Sequence, residues 1–181
     1  MPRFPKRYAD TVARLRVPSG FLIVFVFGWF SRPTVESLWL GLPVAVGGLL
    51  VRAWAAGCLA KNQQLAISGP YAYTRNPLYL GTLLVAAGLV IAARSVWLGV
   101  LFASVFLFVY LPVIELEEQH LRRLFPAYER YAAEVPILWP RFGGSRGNAF
   151  RLALYWKNQE YQAALGLLAG ALYLVWRVVT A

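Results

Sequence analysis

The residues best suited to chemistry in this chain fall in three short stretches that are far apart in sequence. The first, Ser68–Gly81, reads SGPYAYTRNPLYLG and combines a Gly-Pro turn signal with an arginine and three tyrosines. The second, Glu115–Pro126, holds three acids (two of them adjacent), the single histidine and two arginines. The third is Arg52, which stands inside a long apolar run.

The first stretch predicts a binding site for an anionic group at the start of a helix. Asn76 and Pro77 are typical of an N-cap and a first helical residue. The N–H groups of the first turn and the positive end of the helix dipole attract a carboxylate, and Arg75 adds a two-pronged donor beside them. The alternative is that Asn76 only caps, Arg75 only anchors to headgroups, and the tyrosines form an interfacial belt.

The second stretch predicts an amphipathic helix that ends near Pro126. Glu118 and Arg122 stand four residues apart in the favourable order for an ion pair. Because neighbours on a helix diverge, Glu117 and Glu118 are not expected to face one ligand in the same way. One of the two acids would then be structural while the other meets a positive group. His120 is assigned a surface or packing role ahead of a catalytic one.

Arg52 lies about two turns inside its apolar run, where a guanidinium requires a partner or water. The natural partner is Glu117 or Glu118, and Glu160 is a weaker candidate for the same face. The alternative is an unpartnered arginine that extends its guanidinium to the membrane interface.

The composition indicates that a membrane bundle positions these residues. The chain has 181 residues, of which 59% are hydrophobic and 14% charged, whereas soluble domains are usually about 25% charged. Four apolar runs approach the roughly 20 residues that cross a bilayer as a helix. A fifth, Val17–Phe30, is short and either crosses, as we expect, or sits in the membrane without fully crossing. None shows the alternation of a membrane barrel. We therefore predict a single-domain, all-α, multi-pass bundle of about five transmembrane helices, with spans at about 14–30, 38–60, 77–93, 95–114 and 161–179.

The basic residues predict how this bundle is oriented. Lysine and arginine concentrate before the first span and in the connections that follow the second and fourth spans. The positive-inside rule then places the amino terminus and these connections on the cytosolic side of the cell membrane. Segments 61–81 and 115–142 would form a cytosolic cap of helices and loops. The formal charge of +10 would attract anionic membrane lipids, and nucleic-acid binding has no separate support.

Taken in order, the motifs resemble those of the isoprenylcysteine carboxyl methyltransferases and, more distantly, the phospholipid N-methyltransferases. Across residues 47–140 the order is Arg-x-Trp-Ala, Gly-Pro-Tyr-x-Tyr-x-Arg-x-Pro-x-Tyr-x-Gly, Glu-Glu and Phe-x-x-Tyr-x-x-Tyr-x-x-x-Val-Pro. The resemblance implies S-adenosyl-L-methionine as methyl donor, held at the cytosolic interface without a Rossmann domain. It also implies a lipophilic small molecule or lipid as substrate, entering laterally from the bilayer.

Carried over position by position, the resemblance assigns the site residues. Cofactor binding falls on Gly69, Pro70, Tyr71, Arg75, Asn76, Pro77, Tyr79, Gly81, Glu117 and Glu118. Catalytic roles, in orienting the substrate or accepting a proton, fall on Arg52, Arg75, Glu117 and Glu118. Substrate contacts fall on Arg52, Trp54 and Glu160. No metal ligand is assigned, and no oligomeric state is predicted.

Asn76 departs from the family pattern, which usually has histidine between the arginine and the proline. Asparagine can hydrogen-bond but does not titrate near neutral pH. If the family histidine only holds the cofactor, activity survives here; if it moves a proton, this protein uses another base or an acceptor that is already anionic. A carboxylate or thiolate needs no base, whereas an ammonium or alcohol must first lose a proton. An oxygen, nitrogen or sulfur acceptor therefore stays open.

Two other functions fit parts of the pattern. An NADPH-dependent membrane reductase of the sterol-reductase type shares distant features of the cytosolic motif. A non-catalytic membrane scaffold is the other alternative, because loss of the family histidine can mark a pseudoenzyme. A transporter is disfavoured, since only Arg52 places a polar group at mid-membrane.

Overall fold

A computed structural model describes residues 6–141, 147 and 150–180 of the chain. All regular elements in these ranges are helical, and no strand occurs among them. In chain order they are α1 (Lys6–Phe30), α2 (Val35–Cys58), a 3-10 turn (Gly69–Ala72), α3 (Pro77–Ala93), α4 (Val96–Val105), a π-helical segment (Phe106–Tyr110), α5 (Leu111–Leu124), α6 (Tyr128–Glu134), α7 (Leu152–Lys157) and α8 (Tyr161–Val179).

Three helical stretches are long and apolar enough to cross a membrane, namely Val35–Cys58, Val96–Leu124 and Tyr161–Val179. Two shorter apolar helices, Gly20–Phe30 and Pro77–Ala93, accompany them. Large apolar side chains are exposed along these helices, as expected where lipid replaces water as the solvent. The prediction of an all-α membrane helical bundle is confirmed.

The helix boundaries depend on capping residues that lie outside the apolar runs. The Thr34 hydroxyl accepts a hydrogen bond from the Ser37 N–H at 3.3 Å, and the Ser37 hydroxyl accepts one from the Thr34 N–H at 2.9 Å. This capping box starts α2 at Val35, ahead of the predicted residue 38. Helix α3 coincides with the predicted 77–93 and ends where Arg94 adopts a left-handed conformation at φ 51°.

Helices α2 and α3 pack antiparallel along a line of small residues. Gly41 faces Gly88 and Ala92. Further along α2, Gly48 faces Gly81. A Cβ added at Gly41 would come within 2.4 Å of the Gly88 oxygen, and one at Gly48 within 2.6 Å of the Gly81 oxygen. Small residues of this kind let helix backbones approach each other where lipid offers no hydrophobic driving force.

Helices α4 and α5 join through the π-helical segment into one continuous stretch, which contains the predicted span at 95–114. Tyr8 of α1 donates its hydroxyl to the Phe108 carbonyl oxygen of this segment at 2.9 Å. The ring of Tyr110, also in the segment, lies edge-on to Tyr79 of α3 with centroids 5.9 Å apart. The continuous helix thus extends beyond the apolar run and presents the acidic residues of α5.

The predicted cap segments meet at the end of the bundle where α2 ends and α3 begins, which we call the cap end. The backbone N–H of Arg75 donates to the Pro136 carbonyl oxygen at 2.9 Å, and the Tyr131 hydroxyl donates to the backbone carbonyl oxygen of Tyr71 at 2.7 Å. These bonds join the loop around the 3-10 turn to α6 and the segment that follows it. Residue 142 of the predicted cap lies outside the described residues.

Candidate functional site

Arg75 and Glu118 form a buried ion pair beneath the cap. The Arg75 Nε donates to Glu118 Oε1 at 2.8 Å and its Nη2 to Oε2 at 3.4 Å. Its Nη1 donates to the carbonyl oxygens of Ala132 at 2.6 Å and Val135 at 3.1 Å. The two side chains are only 9% and 11% exposed. Arg75 therefore ties the loop before α3 to α5 and to the end of α6.

Glu117 points away from Glu118, as the helical geometry predicts. Its carboxylate is exposed and accepts a hydrogen bond from the buried Tyr79 hydroxyl at 3.0 Å. It forms no ion pair with any residue that the structure describes. The adjacent acids therefore differ, because Glu118 is ion-paired with Arg75 inside the cap while Glu117 has no cationic partner among the described residues.

Arg52 pairs with Glu160, so the expectation that its partner is one of the adjacent acids of α5 was wrong. Its Nε lies 2.6 Å from Glu160 Oε1, and its Nη2 donates to Oε2 at 2.9 Å. Its Nη1 donates to the Leu78 carbonyl oxygen at 3.3 Å and to the Thr82 hydroxyl. Arg52 faces the side of α3 that carries these two residues, and the start of α8 brings Glu160 to the same place.

Tyr71 contributes a buried hydroxyl that has no hydrogen-bond partner among the described residues. Its side chain is 6% exposed and packs with Ala55 and Cys58 of α2. Burial raises the pKa of the hydroxyl far above its ordinary range, and nearby ionisable groups that include Glu117 and Glu160 raise it further. Since an unpaired buried hydroxyl costs about 1–3 kcal/mol, it marks a position where a further polar group would be favourable.

Gly69 allows the 3-10 turn to approach the end of α2. Its φ of 60° is left-handed, and its N–H donates to the Gly147 oxygen at 3.0 Å. A Cβ at this position would lie 3.0 Å from the Cys58 sulfur and 3.5 Å from Trp54 Nε1. Trp54 therefore lies against the turn in which Pro70 follows Gly69, so two motif segments meet here.

Several residues predicted to bind a cofactor have structural contacts of their own. Asn76 is the N-cap residue of α3, as predicted, but its side chain makes no capping hydrogen bond and instead donates to the Ile137 carbonyl oxygen at 3.0 Å. Pro77 is the first residue of α3 and is fully buried. Gly81 faces α2, where an added Cβ would come within 2.5 Å of Arg52 Cγ, so helix packing alone requires glycine there.

The remaining charges of α5 lie outside this cluster. Arg122 pairs with Glu129 at 2.6 Å, and its guanidinium carbon lies 5.6 Å from the centroid of the Tyr128 ring. The expected pair of Glu118 with Arg122 does not form, because Glu118 is turned into the cap. His120 is exposed, in agreement with its assignment to the surface.

Two buried cap tyrosines flank the Arg75–Glu118 pair. The rings of Tyr128 and Tyr131 pack edge to face with centroids 5.9 Å apart. Burial raises the pKa of both hydroxyls above the ordinary value, and the Glu118 carboxylate adds to the increase. These hydroxyls therefore stay protonated and act as hydrogen-bond donors in the cap.

Sequence reasoning missed Thr82 and Asn158. Thr82 lies within the first turns of α3, on the face that meets Arg52, and helical spacing could have found it. Asn158 donates both hydrogens of its amide to the Ala56 and Leu59 oxygens, each at 2.9 Å. No local pattern marks Asn158, because its partners are backbone atoms 102 and 99 residues earlier.

The phospholipid methyltransferase family profile matches residues 37–128, just over half of the 181-residue chain. The chain belongs to the phospholipid methyltransferase family. The resemblance inferred from the motifs is thereby confirmed. The part matched by the family contains Arg52, Tyr71, Arg75 and the adjacent acids of α5, whereas Glu160 lies beyond it.

This family member also resembles three named proteins. The cobalt-zinc-cadmium resistance protein CzcN of Cupriavidus metallidurans is 33% identical over 123 residues, covering 67% of this chain and 56% of the relative. The nickel-cobalt-cadmium resistance protein NccN of Alcaligenes xylosoxydans xylosoxydans is 32% identical over 115 residues, covering 62% and 53%. The protein-S-isoprenylcysteine O-methyltransferase of Schizosaccharomyces pombe is 28% identical over 137 residues, covering 72% and 58%.

The matched part of the chain thus spans a little over half the length of each of these relatives. No solved structure matches the chain. The name of the family and that of the isoprenylcysteine relative both refer to methyl transfer.

Proposed function

We propose that this protein transfers a methyl group from S-adenosylmethionine to a lipophilic small molecule or lipid that enters from the bilayer, at the cytosolic interface of the cell membrane. The observation that carries the proposal is the buried hydroxyl of Tyr71, which lacks a hydrogen-bond partner in the described part of the chain. It lies in the motif segment within the part matched by the family, and orphan polar groups of this kind are rare in folded proteins. A polar ligand in contact with Tyr71 would account for it.

The residues around Tyr71 fit the chemistry of this methyl donor. S-adenosylmethionine carries a carboxylate, an ammonium and a sulfonium, so its site needs groups of both signs. Glu117 offers an exposed carboxylate without an ion-pair partner in the described part of the chain. The start of α3 at Pro77 offers N–H groups and the positive end of a helix dipole.

When bound, S-adenosylmethionine supplies an activated methyl group on a positively charged sulfur. The protein's own residues then align and desolvate the reacting groups. Arg75 and Glu118 act by positioning, because the donors of Arg75 are directed at Glu118 and at two carbonyl oxygens of the cap. Their hydrogen bonds fix the loop that leads into α3.

Glu117 is the residue suited to accept a proton from an ammonium or alcohol acceptor, since it is exposed and its described partner is the neutral Tyr79 hydroxyl. Arg52, Trp54 and Glu160 are assigned to the substrate side of the site. A carboxylate or thiolate acceptor would use the same geometry without the proton transfer, so oxygen, nitrogen and sulfur acceptors are compatible with it.

The names of two relatives refer to resistance against metal ions. Within the described ranges, no group of three or more His, Cys, Asp or Glu side chains is placed to hold an ion.

Calorimetric binding of S-adenosylhomocysteine to the detergent-purified full chain tests the proposal. Wild type should bind, and Tyr71→Phe should bind about tenfold more weakly, the loss expected for one hydrogen bond. Because the Tyr71 hydroxyl has no partner among the residues that the structure describes, this variant should fold as well as wild type. Tyr173→Phe, which removes a hydroxyl that donates to the Gly28 oxygen near the other end of the bundle, is the matched control and should bind normally.

The same experiment separates the alternative functions. A folded wild type that ignores S-adenosylhomocysteine but binds NADPH would replace the methyltransferase proposal with the reductase. A folded protein that binds neither molecule would support the scaffold. Equal affinity of wild type and Tyr71→Phe would overturn the assignment of Tyr71 while leaving the cofactor in place.

A further inference from the structure

Residues Phe150–Glu160, which we call the clasp, fold back around the carboxyl end of α2. The Arg151 N–H donates to the Gly57 oxygen at 2.8 Å. The ring of Phe150 occupies the space next to Gly57, where an added Cβ would come within 2.2 Å of a ring carbon. The clasp thus contacts α2 at a position where no side chain fits.

Asn158 completes the hydrogen bonding at the carboxyl end of α2. The last carbonyl groups of a helix have no partner within it. Asn158 supplies both amide hydrogens to the Ala56 and Leu59 oxygens. The next residue, Gln159, adopts a left-handed φ of 56°, which is unfavourable for a side chain other than glycine and persists where its surroundings hold it.

Glu160 fixes the clasp from its other end. Its side chain is 5% exposed, and both carboxylate oxygens bind Arg52. Arg52 in turn donates to Leu78 and Thr82 of α3. The start of α8 is therefore bound to the α2–α3 pair by charge as well as by contact.

The part of α2 that the clasp holds is also the wall against which Tyr71 packs. Ala55 and Cys58 belong to the same cluster as Tyr71. Gly69, at the start of the 3-10 turn, comes close to Cys58 and Trp54 on this part of α2. A displacement of the end of α2 would therefore displace the surroundings of the Tyr71 hydroxyl.

We propose that Asn158 and Glu160 are positioning residues of the site, which hold the carboxyl end of α2 against the 3-10 turn and thereby keep Tyr71 in place. The ligand in this inference rests on the proposed function, whereas the mechanical part does not. Both residues lie beyond residue 128, where the family match ends, so the site is completed by a part of the chain that the family profile does not cover.

Cys58 is a built-in probe, because it is the chain's single cysteine, is buried, and lies at the end of α2 that the clasp holds. We would measure its labelling rate with a neutral maleimide in the detergent-purified full chain. Asn158→Ala and Glu160→Gln should each speed labelling about tenfold, the effect of losing roughly one net hydrogen bond. Asn158→Gln, which keeps the amide donor, should restore part of the slow rate.

Ser37→Ala is the control for general loosening. Its buried hydroxyl donates to the Ala92 oxygen at 2.7 Å near the opposite end of α2. The Ser37→Ala substitution should lower the thermal midpoint about as much as the two clasp substitutions do, while leaving the Cys58 labelling rate at the wild-type value. The affinity for S-adenosylhomocysteine, measured on the same samples, should fall about tenfold in the two clasp variants and stay unchanged in the control.

The two readouts separate the inference from the proposed function. Faster labelling in a protein that never binds S-adenosylhomocysteine would support the clasp and refute the cofactor. Normal labelling in both clasp variants would overturn the clasp, whatever binds. Faster labelling with unchanged affinity would show that the clasp is structural only, and would remove Asn158 and Glu160 from the positioning residues.

Discussion

The α2–α3 interface and the cap end are held together by different physical means. Along the interface, glycine and alanine bring two backbones into contact, as at Gly41 and Gly48, and close packing dominates the fit. At the cap end, ion pairs and hydrogen bonds to carbonyl oxygens join the elements, as at Arg75 and Arg52. Helix α2 takes part in both regions, and the change occurs between Gly48 and Arg52.

This difference explains where a ligand can act. An interface built from backbone contact has no polar group left to offer, so it can only support the rest of the molecule. The cap end holds charges and hydroxyl groups whose partners can be exchanged, including one hydroxyl, that of Tyr71, with no described partner. The comparison therefore predicts that substitutions in the interface change stability, while selected substitutions at the cap end change binding.

The largest effect is expected from Arg75→Ala, which would leave the buried Glu118 carboxylate without its partner. Breaking a buried pair on one side typically costs about 3–5 kcal/mol, so thermal unfolding in detergent should show a large loss of stability. Arg130→Ala is the control, because the Arg130–Glu134 pair is 90% and 67% exposed and should contribute nothing measurable. Similar midpoints for the two variants would refute the buried pair as a support of the cap.

A smaller effect is expected from Gly48→Ala in the α2–α3 interface. The new methyl group would come within 2.6 Å of backbone atoms of α3, which cannot turn away, so we expect a loss of about 1–3 kcal/mol. The adjacent Gly47→Ala is an ideal control, since no atom lies within 4 Å of its added Cβ. It should be neutral or stabilise α2 by up to about 1 kcal/mol.

Thermal midpoints of the two glycine variants would check this contrast. If the interface contributes to stability alone, the folded fraction of Gly48→Ala should bind S-adenosylhomocysteine with wild-type affinity. Equal stability of Gly48→Ala and Gly47→Ala would contradict the close backbone contact.

The smallest effect is spectroscopic and concerns the buried tyrosines of the cap end. The pKa values of Tyr71, Tyr128 and Tyr131 are raised above the ordinary 10.0, so the folded chain keeps protons that the unfolded chain releases. Their contribution to stability is present below pH 10.0 and is lost as the pH rises above it. The tyrosinate absorbance of the folded protein should therefore fall short by at least three of its ten tyrosines and reach the full value on unfolding. Complete titration near the ordinary pKa in the folded state would contradict this burial.

Rules that act within a few residues predicted much of this molecule. The uninterrupted apolar runs indicated the helices, Pro77 indicated the start of α3, and the divergence of Glu117 from Glu118 followed from helical geometry alone. The same rules failed for the capping hydrogen bond of Asn76, because the side chain is held instead by the Ile137 carbonyl oxygen, 61 residues away, to which its Nδ2 donates. Local preference yields where a distant backbone group offers a better partner.

The partners of Arg52 and Asn158 depend on contacts that no local rule contains. Sequence proximity to the membrane span favoured the acids of α5 for Arg52, yet Glu118 is bound by Arg75. Glu160 is selected because α8 begins where α2 and α3 meet. Which acid serves which arginine is thus decided by the packing of whole helices.

The distance in sequence between Arg52 and Glu160 has a consequence for the synthesis of the protein. Glu160 follows Arg52 by 108 residues, so a ribosome adding about 5–20 residues per second makes the acid several seconds after the base. During that interval the helical hairpin of α2 and α3 carries a positive charge that lacks its final partner. Until Glu160 is made, the described partners within reach of Arg52 are the Leu78 carbonyl oxygen and the Thr82 hydroxyl of α3, both of them neutral.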